Sequence, residues 1–196
     1  MVDIYQKRYI IHQKNKKETI EKKLGEENKK HSSHNIYEIM LNRRSQRIFN
    51  KKPIDNSSFK LINKFVVLSP SSCNRQAIYI QKISPKDSNL DLLVGGVGWI
   101  HKAKSILFIY ADMLAYKSPN EVDFMPYIDA GVVVQSIYLT CESIGLGCCY
   151  INPNLKIKNQ LDRNGYKFMG AMALGYYNKK AIAPKKRKTA FKKIIG

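Results

Sequence analysis

No stretch of this chain stays apolar for the roughly 18 residues that a membrane-spanning helix needs, so no membrane partner is expected. The common catalytic signatures are missing too: there is no G-x-S-x-G, no G-x-x-x-x-G-K-[ST] phosphate loop and no H-E-x-x-H. Cys73, Cys141, Cys148 and Cys149 include no C-x-x-C pair, and the four histidines form no ligand set with them. The adjacent Cys148 and Cys149 cannot easily bridge in regular structure, because disulfide geometry is restrictive. All four are therefore read as reduced thiols without a metal. Residues 1–34 lack the apolar stretch of a secretory signal, which makes the cytoplasm the expected location. Acidic residues are few, 15 against 34 basic ones. Arginine is scarcer still, at seven against 27 lysines.

The resulting net charge of +19 raises the question of nucleic acid, whose phosphates Lys and Arg neutralise. The lysines are spread along the chain with no nucleic-acid motif beside them. No specific nucleic-acid partner is expected, and the charge acts in solubility and steering. With 196 residues, 44% of them hydrophobic, the chain suits one domain or one subunit of a dimer.

Residues 1–34 read as a basic N-terminal extension and linker, with nine basic and five acidic side chains and few large apolar ones after Ile11. Residues 35–196 form the body, ending in a basic tail. Ile36, Ile39, Met40 and Arg43 share one face of a short helix. Ser57 or Ser58 is placed to cap a second helix striped by Phe59, Ile62, Phe65 and Val66. Pro70-Ser71-Ser72 breaks it, and 77–83 reads as a strand. Residues 105–111 are almost continuously apolar, as in a strand buried on both faces. Residues 129–144 form the clearest helix, with Asp129 at its N-terminus and Gly145 at its C-terminal cap. That helix is apolar nearly all round and should be buried in a core or at a subunit interface. A strand at 148–151, a helix after Pro153 and a last strand at 168–176 follow. This alternation predicts α/β or α+β architecture around a central sheet.

The chemistry-bearing candidates are dispersed. Arg43, Arg44 and Arg47 fall within five residues, with Ser45 between them. A guanidinium binds phosphate bidentately, which the compact lysine head cannot do. Composition alone leaves two readings open, an anion site or a charged helix end. Ser71, Ser72, Asn74 and Gln76 place short donors and acceptors on a turn, suited to a heteroaromatic ring edge or to an ordinary polar turn. Gly95-Gly96-Val97-Gly98 is only part of a dinucleotide loop and reads as an apolar turn. Pro184-Lys185-Lys186-Arg187 is a further basic cluster.

Taken in order, R-R-S-x-R (43–47), P-S-S-x-N-x-Q (70–76), D-A-G (129–131), G-L-G-C (145–148), A-L-G-Y (173–176) and P-K-x-R (184–187) resemble the nitroreductase family. The resemblance spans 35–188. It implies an α+β fold, a nitroreductase-like mixed β-sheet flanked by helices, in an intertwined homodimer binding flavin mononucleotide (FMN) at its interface. Arg43, Ser45 and Arg47 would then hold the FMN phosphate, ribityl chain and N1/O2 edge, with Arg44 nearby. Ser71, Ser72, Asn74 and Gln76 would reach the flavin, in part from the partner chain. Tyr150, Ile151 and Asn152 would lie beside the ring and its N5, and Lys185 and Arg187 would contact the phosphate. The implied activity is FMN-dependent oxidoreduction, with NAD(P)H as donor and an electron-poor small-molecule acceptor, nitroaromatic- or quinone-like. No side chain is assigned as catalytic acid or base; flavin N5 carries the chemistry. Two alternatives stand beside it: other flavin chemistry, such as reductive dehalogenation or flavin fragmentation, and a non-catalytic basic binding protein. Three departures bear on substrate. No aromatic follows Gln76-Ala77, Asn152-Pro153 stands where an acidic-Gly pair is usual, and 113–128 leaves little room for a helical excursion.

Overall fold

The apolar run that reads as a doubly buried strand becomes β2 (Ser105–Asp112), and the protein is built outward from it. The computed structural model describes residues 36–93, 98–153 and 158–182. The chain divides into two compact units, 1–38 and 39–196. Of the first unit only 36–38 are described, the opening of helix α1 (Ile36–Asn42).

Four strands form one sheet. β1 (Ile78–Ile83), β2, β3 (Gly147–Ile151) and β4 (Tyr166–Gly175) lie in the order β1-β2-β4-β3, each neighbouring pair antiparallel. An isolated parallel bridge, Ser45 to Cys148, sets the 45–46 segment against the β3 edge of this antiparallel sheet. Side chains on β2 alternate strictly. Leu107, Ile109 and Ala111 enter one core cluster, while Ile106, Phe108 and Tyr110 enter the other. This period of two is how a strand serves cores on both of its faces. The first core is closed by Ile62 of α2 (Asn56–Val67) and by Ala130, Val133, Ile137 and Cys141 of α3 (Pro119–Ser143). The second is closed by short 3-10 turns carrying Leu90, Leu93, Ile100 and Leu161. Each fully buried large aliphatic side chain contributes on the order of 2 kcal/mol.

A β-bulge interrupts the β2–β4 ladder: Ile109 faces Gly170, Tyr110 faces Phe168, and Met169 has no partner. Gly170 has φ 130°, a conformation suited to glycine. The bulge leaves the Met169 carbonyl to accept from the Tyr150 hydroxyl at 2.5 Å.

Two helix starts differ from the sequence expectation. Asp55, not Ser57 or Ser58, caps α2; its carboxylate accepts from the Ser58 amide at 2.7 Å. α3 begins ten residues before Asp129. Ser118 and Glu121 form a capping box there, with Pro119 in the first turn. The 113–128 stretch is therefore a 3-10 turn and the first turns of a 25-residue helix. Asp129 lies mid-helix and is only 2% exposed. After Pro153, the described part of the expected helix is a 3-10 turn, Lys158–Leu161. Among the described residues, no helix is long and apolar enough to cross a membrane.

Candidate functional site

The arginine segment leaves α1 and runs along the β3 edge. Its anchor is Gln46, the variable position of the R-R-S-x-R motif. The Gln46 amide nitrogen donates to the Cys148 carbonyl at 2.9 Å. Its side chain is 3% exposed. Nε2 donates to the Ile48 and Lys179 carbonyls at 2.9 and 3.1 Å, and Oε1 accepts from the Ala181 amide at 2.8 Å. A buried amide so fully paired fixes the residues on either side of it. Gly147 makes the approach possible. A Cβ there would stand 2.7 Å from Gln46 Cγ and 2.8 Å from Tyr177 Cδ1.

With Gln46 turned inward, Ser45 and Arg47 turn the other way. The Ser45 hydroxyl is 3.2 Å from the Tyr138 hydroxyl, which also accepts from the Tyr150 amide at 2.8 Å. The Arg43 guanidinium lies over the Tyr138 ring, 4.8 Å from its centroid, and that of Arg47 lies 5.9 Å from the Trp99 ring. Arg44 turns back and donates to the Leu41 and Arg43 carbonyls at 2.7 and 2.8 Å, closing the end of α1. Among the described residues, no carboxylate pairs with Arg43, Arg44 or Arg47. Arg75 and Lys180, by contrast, are paired with Glu121 and Glu142. Among the described residues the segment thus concentrates guanidinium groups that no carboxylate pairs with, beside a hydroxyl, a donor set that suits phosphate.

The thiols next to it are not reactive centres. Burial pushes the Cys148 thiol well up, and it pushes Cys149 up against the opposing pull of Arg47 and Arg43. Both remain protonated and weakly nucleophilic at neutral pH. Burial also raises Tyr138, opposed by its bonds to Ser45 and Tyr150.

The second segment, 71–76, is held by α3. The Asp129 carboxylate accepts from the Ser72 amide at 2.9 Å and from the Tyr116 hydroxyl at 3.0 Å. Arg75 donates to Ser72 Oγ at 2.8 Å and to both oxygens of Glu121. Ser71 Oγ accepts from the Gln76 amide at 2.9 Å. Cys73, Asn74 and Gln76 all have positive φ, at 49°, 54° and 53°. Asparagine tolerates this readily; cysteine and glutamine do so only when surrounding bonds impose it. Beside the turn, between α2 and β1, lies a cavity of about 350 Å³ lined by Ser71, Gln76, Asp129 and apolar residues such as Val66 and Ile80.

The structure thus joins Arg43, Ser45 and Arg47 to β3 in one cluster and gathers Ser71, Ser72, Asn74 and Gln76 into another. Tyr150 sends its hydroxyl to Met169, Ile151 is buried in the second core and Asn152 is exposed. Lys185 and Arg187 lie outside the described residues, as do Gly95, Gly96 and Val97. Sequence reasoning missed Gln46, Tyr138 and the burial of Asp129. Only Asp129 carried a signal, since Ser118-x-x-Glu121 before an apolar helix marks the true start.

Fold and site define an α+β protein whose sheet edge presents a cluster of three arginines. The chain belongs to the nitroreductase-like family whose model is described as "Putative TM nitroreductase", matching over residues 35–195. The FMN reductase (NADPH) of Bacillus subtilis strain 168 is 26% identical over 145 residues, 66% of this chain and 57% of that protein. The chain therefore spans a little over half the length of this curated relative. A nitroreductase family protein of Streptococcus pneumoniae TIGR4 superposes with TM-score 0.71 at 16% identity, covering 82% of this chain and 100% of that one. A candidate nitroreductase of Desulfovibrio desulfuricans, solved in complex with FMN, gives 0.67 at 19%, covering 80% and 94%.

Proposed function

We propose that this protein is an FMN-dependent oxidoreductase taking electrons from NAD(P)H and passing them to an electron-poor small molecule of nitroaromatic or quinone type. The observation that carries the reading is the guanidinium cluster around Ser45, with which no carboxylate pairs among the described residues. A dianionic phosphate ester neutralises such a cluster without a carboxylate competing for it. The Bacillus subtilis relative, an FMN reductase using NADPH by name, supports the same reading. Bound FMN would supply two-electron hydride chemistry at its ring. Arg43 and Ser45 would hold the phosphate and ribityl oxygens, with Arg44 alongside. Arg47 would hold positive charge near the ring's N1/O2 edge, and Tyr150 to Asn152 would line the ring.

The two polar clusters fit a dimer in which each protomer supplies one of them to each flavin. In that arrangement Ser71, Asn74 and Gln76 would meet a flavin held by the partner's arginines. The exposed apolar residues Phe124, Tyr127 and Ile128 on α3 would supply the contact surface. Residues 35–196 would be the flavin-binding part, with Lys185 and Arg187 as added phosphate contacts and 1–34 as an extension.

The test is an absorbance spectrum of purified protein followed by NAD(P)H titration. A yellow protein bleached by NAD(P)H is expected. A colourless protein that takes up no added FMN overturns the reading.

A further inference from the structure

We propose that Tyr138 is the positioning residue of the anion site: it relays a hydrogen bond from the Tyr150 amide to Ser45 and carries Arg43 on its ring. The proposal rests on the FMN reading and adds to it a residue on a different element, the middle of α3. The Tyr138 side chain reaches the β3 edge from the buried face of the helix. There its hydroxyl meets the Tyr150 amide and Ser45 Oγ, with the Cys149 thiol beside both hydroxyls. The Tyr150 amide, 2.8 Å away, can only donate. Tyr138 therefore accepts there and keeps its own proton. Ser45 Oγ, 3.2 Å away, is placed to receive that proton. A Ser45 that accepts from Tyr138 keeps its own proton for another acceptor, and a ligand oxygen is a stronger one than the neutral Cys149 sulfur beside it. Phosphate and ribityl oxygens can accept a bond from such a hydroxyl, and phosphate oxygens do nothing else. The relay thus sets Ser45 as a donor before any ligand arrives.

The ring does a separate job. Arg43 stacks at 4.8 Å on its face, and among the described residues no carboxylate pairs with it. A stacked guanidinium keeps its in-plane N–H edges for two oxygens of one ligand. Preorganising two long or rotating side chains before binding removes an ordering cost that the ligand would otherwise carry.

A tyrosine that only filled the core would do neither. Tyr138→Phe keeps the ring and the packing and removes only the relay. FMN affinity of the apo-protein is measured by fluorescence titration for wild type, Tyr138→Phe, Ser45→Ala and the double variant, alongside each apo melting temperature. Each single change should weaken FMN about 10-fold, the loss of one hydrogen bond to a charged or polar ligand. The double variant should bind about as either single does, because both remove the same relay. Wild-type affinity in Tyr138→Phe, or losses that multiply in the double variant, overturns the relay while leaving the flavin reading intact. Losses that follow the melting temperature, and not the relay, also overturn it. A wild-type protein that binds no FMN removes both.

Discussion

At the scale of single residues, the protein separates its charges by whether they are answered. Arg75 has Glu121 and Lys180 has Glu142, whereas Arg43 and Arg47 stand on aromatic rings. Replacing both Arg43 and Arg47 with Ala should lower FMN affinity at least about 100-fold, since charge-assisted bonds are the strong ones. The ratio of flavin to protein absorbance after gel filtration reads this directly, and the elution volume should not change. Asp55 is an answered charge of another kind. Hydrogen bonds from Ser57, the Ser58 amide and Tyr176 hold its carboxyl well below the usual carboxylate range. A folded-state value below the unfolded one adds stability at neutral pH, and that contribution fades as pH falls from about 4 toward the depressed value. Asp55→Ala should therefore cost about 1 kcal/mol at pH 7 in urea titration, the usual worth of an N-cap. Its gap from wild type should narrow as the buffer is acidified below pH 4.

At the scale of elements, α3 and β3 do most of the positioning. Ile137 is fully buried between α3 and the sheet, so Ile137→Ala should cost about 3 kcal/mol, read as a lower denaturation midpoint. Gly147→Ala acts differently. Its Cβ would displace Gln46 and Tyr177, so it should lower FMN affinity as well as costing about 1–3 kcal/mol. The strands were plain in the sequence, because the 105–112 run and the short apolar segments at 147–151 and 166–175 state their burial in composition. The start of α3 was not, because residues 119–128 mix polar, apolar and proline positions and their helical bond pattern is set by the Ser118–Glu121 cap. The arginines and the 70–76 turn could be named from motif order. Gln46 and Tyr138 could not. An amide between arginines looks like a spacer, and a tyrosine in an apolar stripe looks like core. What each hydroxyl or amide meets depends on segments more than 90 residues away for Ser45 and Gln46.

At the scale of the whole molecule, Phe124, Tyr127 and Ile128 put half-exposed apolar surface on a long helix, and a second copy is the partner proposed for it. Sedimentation should give a dimer. Tyr127→Lys with Ile128→Lys should give a monomer that loses FMN, because each site would then lack the 71–76 turn of its neighbour. The Gln46 clamp has a consequence for how the protein is made. Its side-chain partners on residues 179 and 181 lie 133 and 135 positions further along the chain. Synthesis runs from the N-terminus, so the arginines emerge well before the segment around Lys179 and Ala181 that clamps Gln46 between them. A nascent chain would therefore hold Arg43 and Arg47 without the Gln46 side-chain clamp until residues 179–181 had been made.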